Sequence, residues 1–122
     1  MSPRILLYGL PPELSRELRD VLISTHYVPE IDDEMRTGMM GWPEVDLVFC
    51  PAGLAALGKV LAATAPHRPG LRVIATSRLP ETGEWLDALE AGAADYCAAP
   101  FEATQLRWLL TAQLAKRKPV AA

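Results

Sequence analysis

The chain has 122 residues, of which half are apolar and 22% are charged, a mixture typical of one globular domain that folds without a metal or a disulfide. Its twelve basic and fifteen acidic residues give a formal charge of -3, which excludes an overall positive field for binding nucleic acid or an anionic membrane. No apolar run reaches the ~18 to 20 residues that span a bilayer. The start of the chain lacks a secretory signal, so a cytoplasmic location is expected.

The first third of the chain predicts two strands and two helices. Residues 5–8 are an apolar run closed by Gly9-Leu10-Pro11-Pro12, which indicates a buried strand and a turn. Apolar residues then recur at helical spacing from residue 13 to about 25. Residues 27–31 form a weak strand with a proline, which places it at the edge of a sheet. A short or irregular helix is expected over residues 32–42, capped by Asp32 or Asp33.

Residues 45–51 read Val-Asp-Leu-Val-Phe-Cys-Pro. A near-continuous apolar run of this length is typical of a strand that is covered on both faces, so it predicts the middle strand of a parallel sheet. A third helix follows to about residue 65. In open parallel sheets, functional groups gather beyond the carboxyl ends of the strands, which directs attention to Cys50 and Pro51.

The second half of the chain repeats the same alternation. A fourth strand over residues 71–76 ends at Ser77, a helix runs from about 84 to 91, a fifth strand covers 94–98, and a last amphipathic helix covers about 102–118. Five successive βα units predict a parallel sheet with helices on both faces. Residues 1–118 are expected to form the domain, and residues 119–122 a tail or the start of a linker.

Three segments resemble the receiver domains of two-component response regulators. Residues 88–96 are similar to the run A-x-x-x-G-A-x-D-Y/F of that family, Pro100-Phe101 to K-P-F, and residues 45–49 to P-D-L-V-L. The resemblance covers nearly the whole chain. It implies a doubly wound, flavodoxin-like (CheY-like) α/β/α sandwich whose five-stranded parallel sheet has the order 2-1-3-4-5.

The resemblance also implies where phosphorylation residues would lie. In receiver domains an acidic pair holds magnesium, an aspartate accepts the phosphoryl group, and a hydroxyl and a lysine bind its oxygens. The corresponding positions hold Gly9 and Leu10 for the acidic pair, Pro51 after Cys50 for the aspartate, Ala99 for the lysine and Ser77 for the hydroxyl. The resemblance therefore implies a degenerate receiver that is not an enzyme, holds no magnesium or other cofactor, and accepts no phosphate.

Aromatic residues indicate an interaction surface. Trp85 and Trp108 lie off the leucine stripes of the fourth and fifth predicted helices, and Tyr96 lies where the family has its switch aromatic. Exposed aromatic area marks interfaces, so a homodimer or a protein partner is expected on the face of helix four, strand five and helix five. The alternatives are tryptophans that lie flat on their own domain and an ordinary half-buried strand tyrosine.

Two other functions stay open at this stage. Cys50 or Ser77 could act on a small ligand or in redox chemistry in a flavodoxin-like domain, although a buried, inert cysteine explains the pattern as well. The chain could also be the receiver-like part of a larger protein whose output domain follows Pro119. His26 and His67 receive no role, and Lys116-Arg117-Lys118 is interpreted as a solubilising helix end.

Overall fold

The computed structural model describes residues 3–32, 45–64, 70–78 and 82–115. These residues form a five-stranded sheet with helices on both faces. The strands are β1 (Ile5–Tyr8), β2 (Glu30–Asp32), β3 (Leu47–Pro51), β4 (Arg72–Ser77) and β5 (Asp95–Ala98), and the helices are α1 (Pro12–Ser24), α2 (Leu54–Thr64), α3 (Thr82–Ala91) and α4 (Ala103–Ala115). All neighbouring strands are parallel, in the order 2-1-3-4-5. The predicted fold class is confirmed.

The strand β3 is the buried middle strand that the sequence predicts. Leu47, Val48, Phe49 and Cys50 are fully buried. Because successive side chains point to opposite faces of a strand, Leu47 and Phe49 join the apolar cluster beneath α1 and α4, while Val48 and Cys50 join the cluster beneath α2 and α3. Both faces of β3 are therefore covered, which explains why its apolar run does not alternate with polar residues.

The strand β2 is shorter than predicted and starts later. The sequence predicts a strand over residues 27–31, whereas β2 covers Glu30–Asp32. Pro29 has no N–H for a sheet ladder, and the N–H of Tyr27 is used at the end of α1, where it donates to a helix carbonyl at 3.0 Å. His26 lies in the same turn, with a positive φ of 71°. The chain is therefore free to pair with β1 only after Pro29.

Some predicted features lie outside the described residues. The second predicted helix is one of them, because Asp32 is the last residue of β2 and the structure describes nothing from residue 33 to 44. The others are Asp33, His67, Lys116-Arg117-Lys118 and the tail 119–122. Within the described residues, none of the helices is long and apolar enough to cross a bilayer.

Arg4, which precedes β1, contacts the edge strand β2 and the residue that precedes β3. Its backbone N–H donates to the Asp46 carboxylate at 2.8 Å, and its guanidinium donates two hydrogen bonds, of 2.8 and 3.0 Å, to the Glu30 carboxylate. The hydrogen bond from Arg4 lowers the pKa of Glu30. The ion pair therefore adds its full stability above the usual pKa of a glutamate, and this contribution declines as the pH falls from there and is lost below the lowered value.

Candidate functional site

The strand ends that carry the predicted pocket positions meet at one edge of the sheet. Pro51 is the last residue of β3 and pairs with Thr76 in β4. Ser77 ends β4, and its carbonyl accepts the N–H of Ala99 at 2.9 Å. Gly9 follows β1 and lies against Pro51, because a Cβ added at Gly9 would stand 3.7 Å from the proline Cδ. The structure thus brings these positions together at the carboxyl edge of the sheet.

The side chains at these positions are mostly apolar and packed. Leu10 and Ala99 are buried in the cluster beneath α1 and α4, and Cys50 is buried in the cluster on the other face. Gly9 has a φ of +68°, a left-handed conformation that favours glycine over other residues. In the part of the chain that the structure describes, no group of three or more His, Cys, Asp and Glu side chains could hold a metal ion. Packing is therefore the main property of the edge.

The Cys50 thiol is held in its neutral form. Burial raises the pKa of Cys50 to about 12, so the thiolate that would act as nucleophile or redox group is scarce at neutral pH. Burial also raises the pKa of Cys97 to about 12, although a contact with the Thr76 hydroxyl at 3.7 Å acts in the opposite direction. Both cysteines are free. Their surroundings match those of structural cysteines.

The Ser77 side chain is engaged by Tyr96. The two hydroxyls are hydrogen-bonded to each other, and the Tyr96 hydroxyl donates to Oε1 of Glu84 at 3.0 Å. An ionised carboxylate can only accept, so Tyr96 uses its proton on Glu84 and Ser77 donates to the Tyr96 oxygen. This Ser77–Tyr96–Glu84 chain connects β4, β5 and the first turn of α3. Sequence reasoning missed Glu84, because nothing in its spacing indicates that it faces a strand tyrosine.

The two tryptophans are exposed on opposite layers of the sandwich. Trp85 is 45% exposed on α3, and Trp108 is 75% exposed on α4. The helix α3 packs with α2, and α4 packs with α1 on the other face of the sheet. Trp108 lies two residues after the buried Leu106, about 200° around the helix, so it points away from the sheet. The edge strand β5 runs between the two helices, with a partly exposed Tyr96.

A concave surface accompanies β5 on the α4 side. Phe101 and Leu109 are partly buried apolar residues that line a cavity of about 460 Å³ next to β5. Leu86, on the outer side of α3, is half exposed. Apolar area therefore continues from α3 across the sheet edge to α4. We refer to Trp85, Leu86, Tyr96, Phe101, Trp108 and Leu109 as the β5-edge surface.

Comparisons with known proteins agree on the fold. No protein-family model matches the sequence, and no curated protein matches it. Among solved structures, the orphan response regulator HP1043 of H. pylori is similar, with a TM-score of 0.69 and 24% identity over 93% of this chain and 97% of that chain. A CheY-like protein, tadZ from Pseudomonas aeruginosa, has a TM-score of 0.73 and 19% identity over 92% of this chain and 99% of that chain.

A third similar structure is an atypical orphan response regulator with a phosphorylation-independent regulatory mechanism. Its TM-score is 0.70, with 25% identity over 92% of this chain and 95% of that chain. These likenesses span nearly the full length of both partners in each comparison. The chain has the fold of response regulator receiver domains, and the resemblance inferred from its sequence is confirmed.

Proposed function

We propose that this chain is a degenerate receiver, or pseudo-receiver, that works in bacterial signal transduction through protein–protein contact and without phosphorylation. The observation that carries the proposal is the Ser77–Tyr96–Glu84 chain, in which the one retained pocket hydroxyl is already bound to a protein group. A receiver that responds to phosphate needs that hydroxyl for the phosphoryl oxygens.

The remaining pocket positions support the same proposal. Phosphoryl transfer to a receiver needs an aspartate as acceptor and carboxylates that hold a magnesium ion. Pro51, Gly9 and Leu10 occupy those positions and carry no ionisable side chain. Ala99 carries no amine to neutralise the product. The domain is therefore proposed to be non-enzymatic and to use neither magnesium nor another cofactor.

The β5-edge surface is the proposed contact region. Within the described sheet, β5 is an edge strand whose neighbour is β4, and edge strands are common sites for the addition of a partner strand. Trp85 and Trp108 flank it on the two layers, and tryptophan is among the residues that contribute most to binding energy at interfaces. A partner that covers the sheet edge would contact both layers. A second copy of the chain or another protein is proposed there, in the cytoplasm, with no direct contact to nucleic acid or membrane.

Incubation with a small phosphodonor and magnesium tests the first half of the proposal. The intact mass is expected to stay unchanged, because the chain offers no acceptor aspartate. A receiver domain that carries all five pocket residues is treated in the same way as a positive control. Addition of a phosphoryl group to this chain would contradict the proposal.

Light scattering across a range of protein concentrations tests the second half. If a second copy binds the β5-edge surface, Trp85→Ala and Trp108→Ala are each expected to weaken the dimer roughly tenfold or more. Val28→Ala is the matched control, because Val28 is 80% exposed next to β2 at the opposite edge of the sheet. A wild-type chain that stays monomeric at every concentration contradicts self-association and directs the search to a different protein.

Cys50-based chemistry is not favoured as a second function. The thiol is fully buried and its pKa is raised to about 12. Among the residues that the structure describes, no charged group near Cys50 opposes the effect of burial, so none supplies the base or the positive charge that activates a cysteine.

A further inference from the structure

A second concave region lies at the other end of the sheet, between α1 and the edge strand β2. It encloses about 410 Å³, a size in the range of small-molecule sites. Its lining comprises Gly9, Leu10, Pro12, Ser15, Arg16, Arg19 and Ile31. We call it the α1–β2 pocket. Since β2 and β5 are the two opposite edges of the sheet, the pocket is separate from the β5-edge surface.

Within the described residues, two buried polar atoms of this pocket have no hydrogen-bond partner. They are the Ser15 hydroxyl oxygen and the Arg19 Nε. Ser15 is only 7% exposed, so its hydroxyl cannot rely on bulk water. An unsatisfied buried donor costs free energy and is rare in folded proteins. Both groups line the same pocket, which indicates that a bound group of complementary chemistry satisfies them.

Among the described residues, the charged side chains that line this pocket are both basic. Glu13 and Glu17 lie on the other side of α1, where both contact the Arg78 guanidinium, at 4.0 and 3.2 Å. Arg16 and Arg19 lie on the pocket side. No carboxylate of the described residues forms an ion pair with Arg16, and the contact from Arg19 to its exposed neighbour Asp20 is long, at 3.5 Å.

We infer that the α1–β2 pocket binds a phosphate monoester. Two guanidinium groups and one hydroxyl can each donate hydrogen bonds, and a phosphate group offers three terminal oxygens to accept them, whereas a carboxylate offers two. Guanidinium forks also match phosphate geometry. Leu10, Pro12 and Ile31 supply apolar wall for the organic part of the ligand. Gly9 also lines the pocket and, because it has no side chain, takes up little of its volume.

The inference does not depend on the proposed function. It concerns a ligand held by α1, whereas the proposed function concerns a protein held at β5. A failure of one leaves the other intact, because their tests use different residues and different binding partners.

Isothermal titration with four probes tests the inference on the full chain. The probes are phenyl phosphate, inorganic phosphate, benzoate and phenol. Phenyl phosphate is expected to bind best, inorganic phosphate more weakly, and benzoate and phenol least, because only phenyl phosphate fills both the donor cluster and the apolar wall. No measurable binding of either phosphate, or equal binding of benzoate and phenyl phosphate, would overturn the inference.

Variants locate the site. Arg16→Ala and Arg19→Ala are each expected to raise the dissociation constant for phenyl phosphate about tenfold, the size of a charged hydrogen bond. Arg107→Ala is the matched control, because Arg107 is exposed on α4, outside the pocket lining, and should bind like the wild type. Equal weakening in all three variants would show a non-specific charge effect and would overturn the inference.

Ser15→Ala separates binding from folding. Without ligand its melting temperature should be equal to or above that of the wild type, because the substitution removes a buried hydroxyl that has no hydrogen-bond partner among the described residues. With phenyl phosphate its dissociation constant should rise about threefold to tenfold. A variant that binds as tightly as the wild type would overturn the role of Ser15 in the site.

Discussion

Tyr96 illustrates how one side chain joins three elements. Its hydroxyl accepts from Ser77 at the end of β4 and donates to Glu84 in α3. All three side chains are partly exposed, so water can replace any hydrogen bond that is lost. The hydrogen bonds of this Ser77–Tyr96–Glu84 chain therefore stabilise the fold mainly because the three groups are held in position, and less because water is excluded from them.

Tyr96→Phe is expected to lower the free energy of unfolding by about 1 kcal/mol, since two hydrogen bonds are lost but their partners can be rehydrated. Urea denaturation of Ser77→Ala, Tyr96→Phe and the double variant should give a coupling energy of at least about 0.5 kcal/mol. Tyr27→Phe is the control, because the Tyr27 hydroxyl forms no hydrogen bond with another described residue. Strict additivity of Ser77→Ala and Tyr96→Phe would argue against a linked chain.

Cys50 gives a prediction for alkaline pH. Its pKa is about 12 in the folded chain and is near the usual 9 when unfolded. The unfolded chain therefore loses the proton first as the pH rises. The stability contribution is complete below pH 9 and should decline above it by about 1.4 kcal/mol per pH unit for this one group.

The measurement compares the pH dependence of stability in the wild type and in Cys50→Ala between pH 9 and 11. The variant starts from a lower stability because it leaves a cavity, but its slope should be shallower by the amount that Cys50 contributes. Identical slopes would contradict the burial-induced shift. In the same pH range, iodoacetamide should label Cys50 in the folded chain far more slowly than in urea.

Helix α4 is held to the sheet by a buried amide as well as by leucines. Gln113 is buried, and its Oε1 accepts two hydrogen bonds from the Arg72 guanidinium, at 3.1 and 2.8 Å. Its Nε2 donates to the Asp95 carboxylate at 3.2 Å. The amide therefore sits between a cation of β4 and an anion of β5 and fixes the position of α4 along the strands.

Gln113→Ala should destabilise the chain by about 2 kcal/mol, because it leaves two charged groups without their buried partner. Gln105→Ala changes the same residue type on the exposed side of the same helix and should stay within about 0.5 kcal/mol of the wild type. Thermal unfolding of both variants is sufficient to compare them. Equal effects would indicate that helix propensity, and not the amide contacts, determines the result.

The elements were predictable to different degrees for physical reasons. The middle strand β3 was recognised because burial on both faces removes all polar residues from its run. The start of β2 was misplaced because two local effects, the missing N–H of Pro29 and the use of the Tyr27 N–H by α1, outweigh strand composition. The second predicted helix stays a prediction.

At the scale of the whole molecule, the order of strands and helices along the chain determined the predicted sheet topology. Alternating strands and helices with right-handed crossovers permit few arrangements, and the receiver-like motifs selected the order 2-1-3-4-5 that the structure has. The site was less accessible to prediction. The emptied pocket positions follow from alignment, whereas Glu84 and the donors of the α1–β2 pocket depend on side-chain directions that no sequence pattern encodes.

Pro51→Asp tests whether the fold alone can support phosphorylation. The substitution restores the acceptor, but the variant still has Gly9 and Leu10 where magnesium ligands are needed and Ala99 where an amine is needed. No phosphoryl group is expected on the variant after treatment with phosphodonor and magnesium, as judged by intact mass. Efficient labelling of Pro51→Asp would mean that other groups can replace the missing carboxylates.

The Ser77–Tyr96–Glu84 chain is built only from groups that the protein itself carries. A protein switch responds to an input when that input shifts the balance between two conformations of similar free energy. Here the hydrogen bonds that hold Ser77 are supplied by the protein itself, so no phosphoryl group is needed to form them. Under the proposed function, the signal from such a protein depends on its concentration in the cell. Its control would then lie in how fast the cell makes and degrades it, and its lifetime would become the regulated quantity.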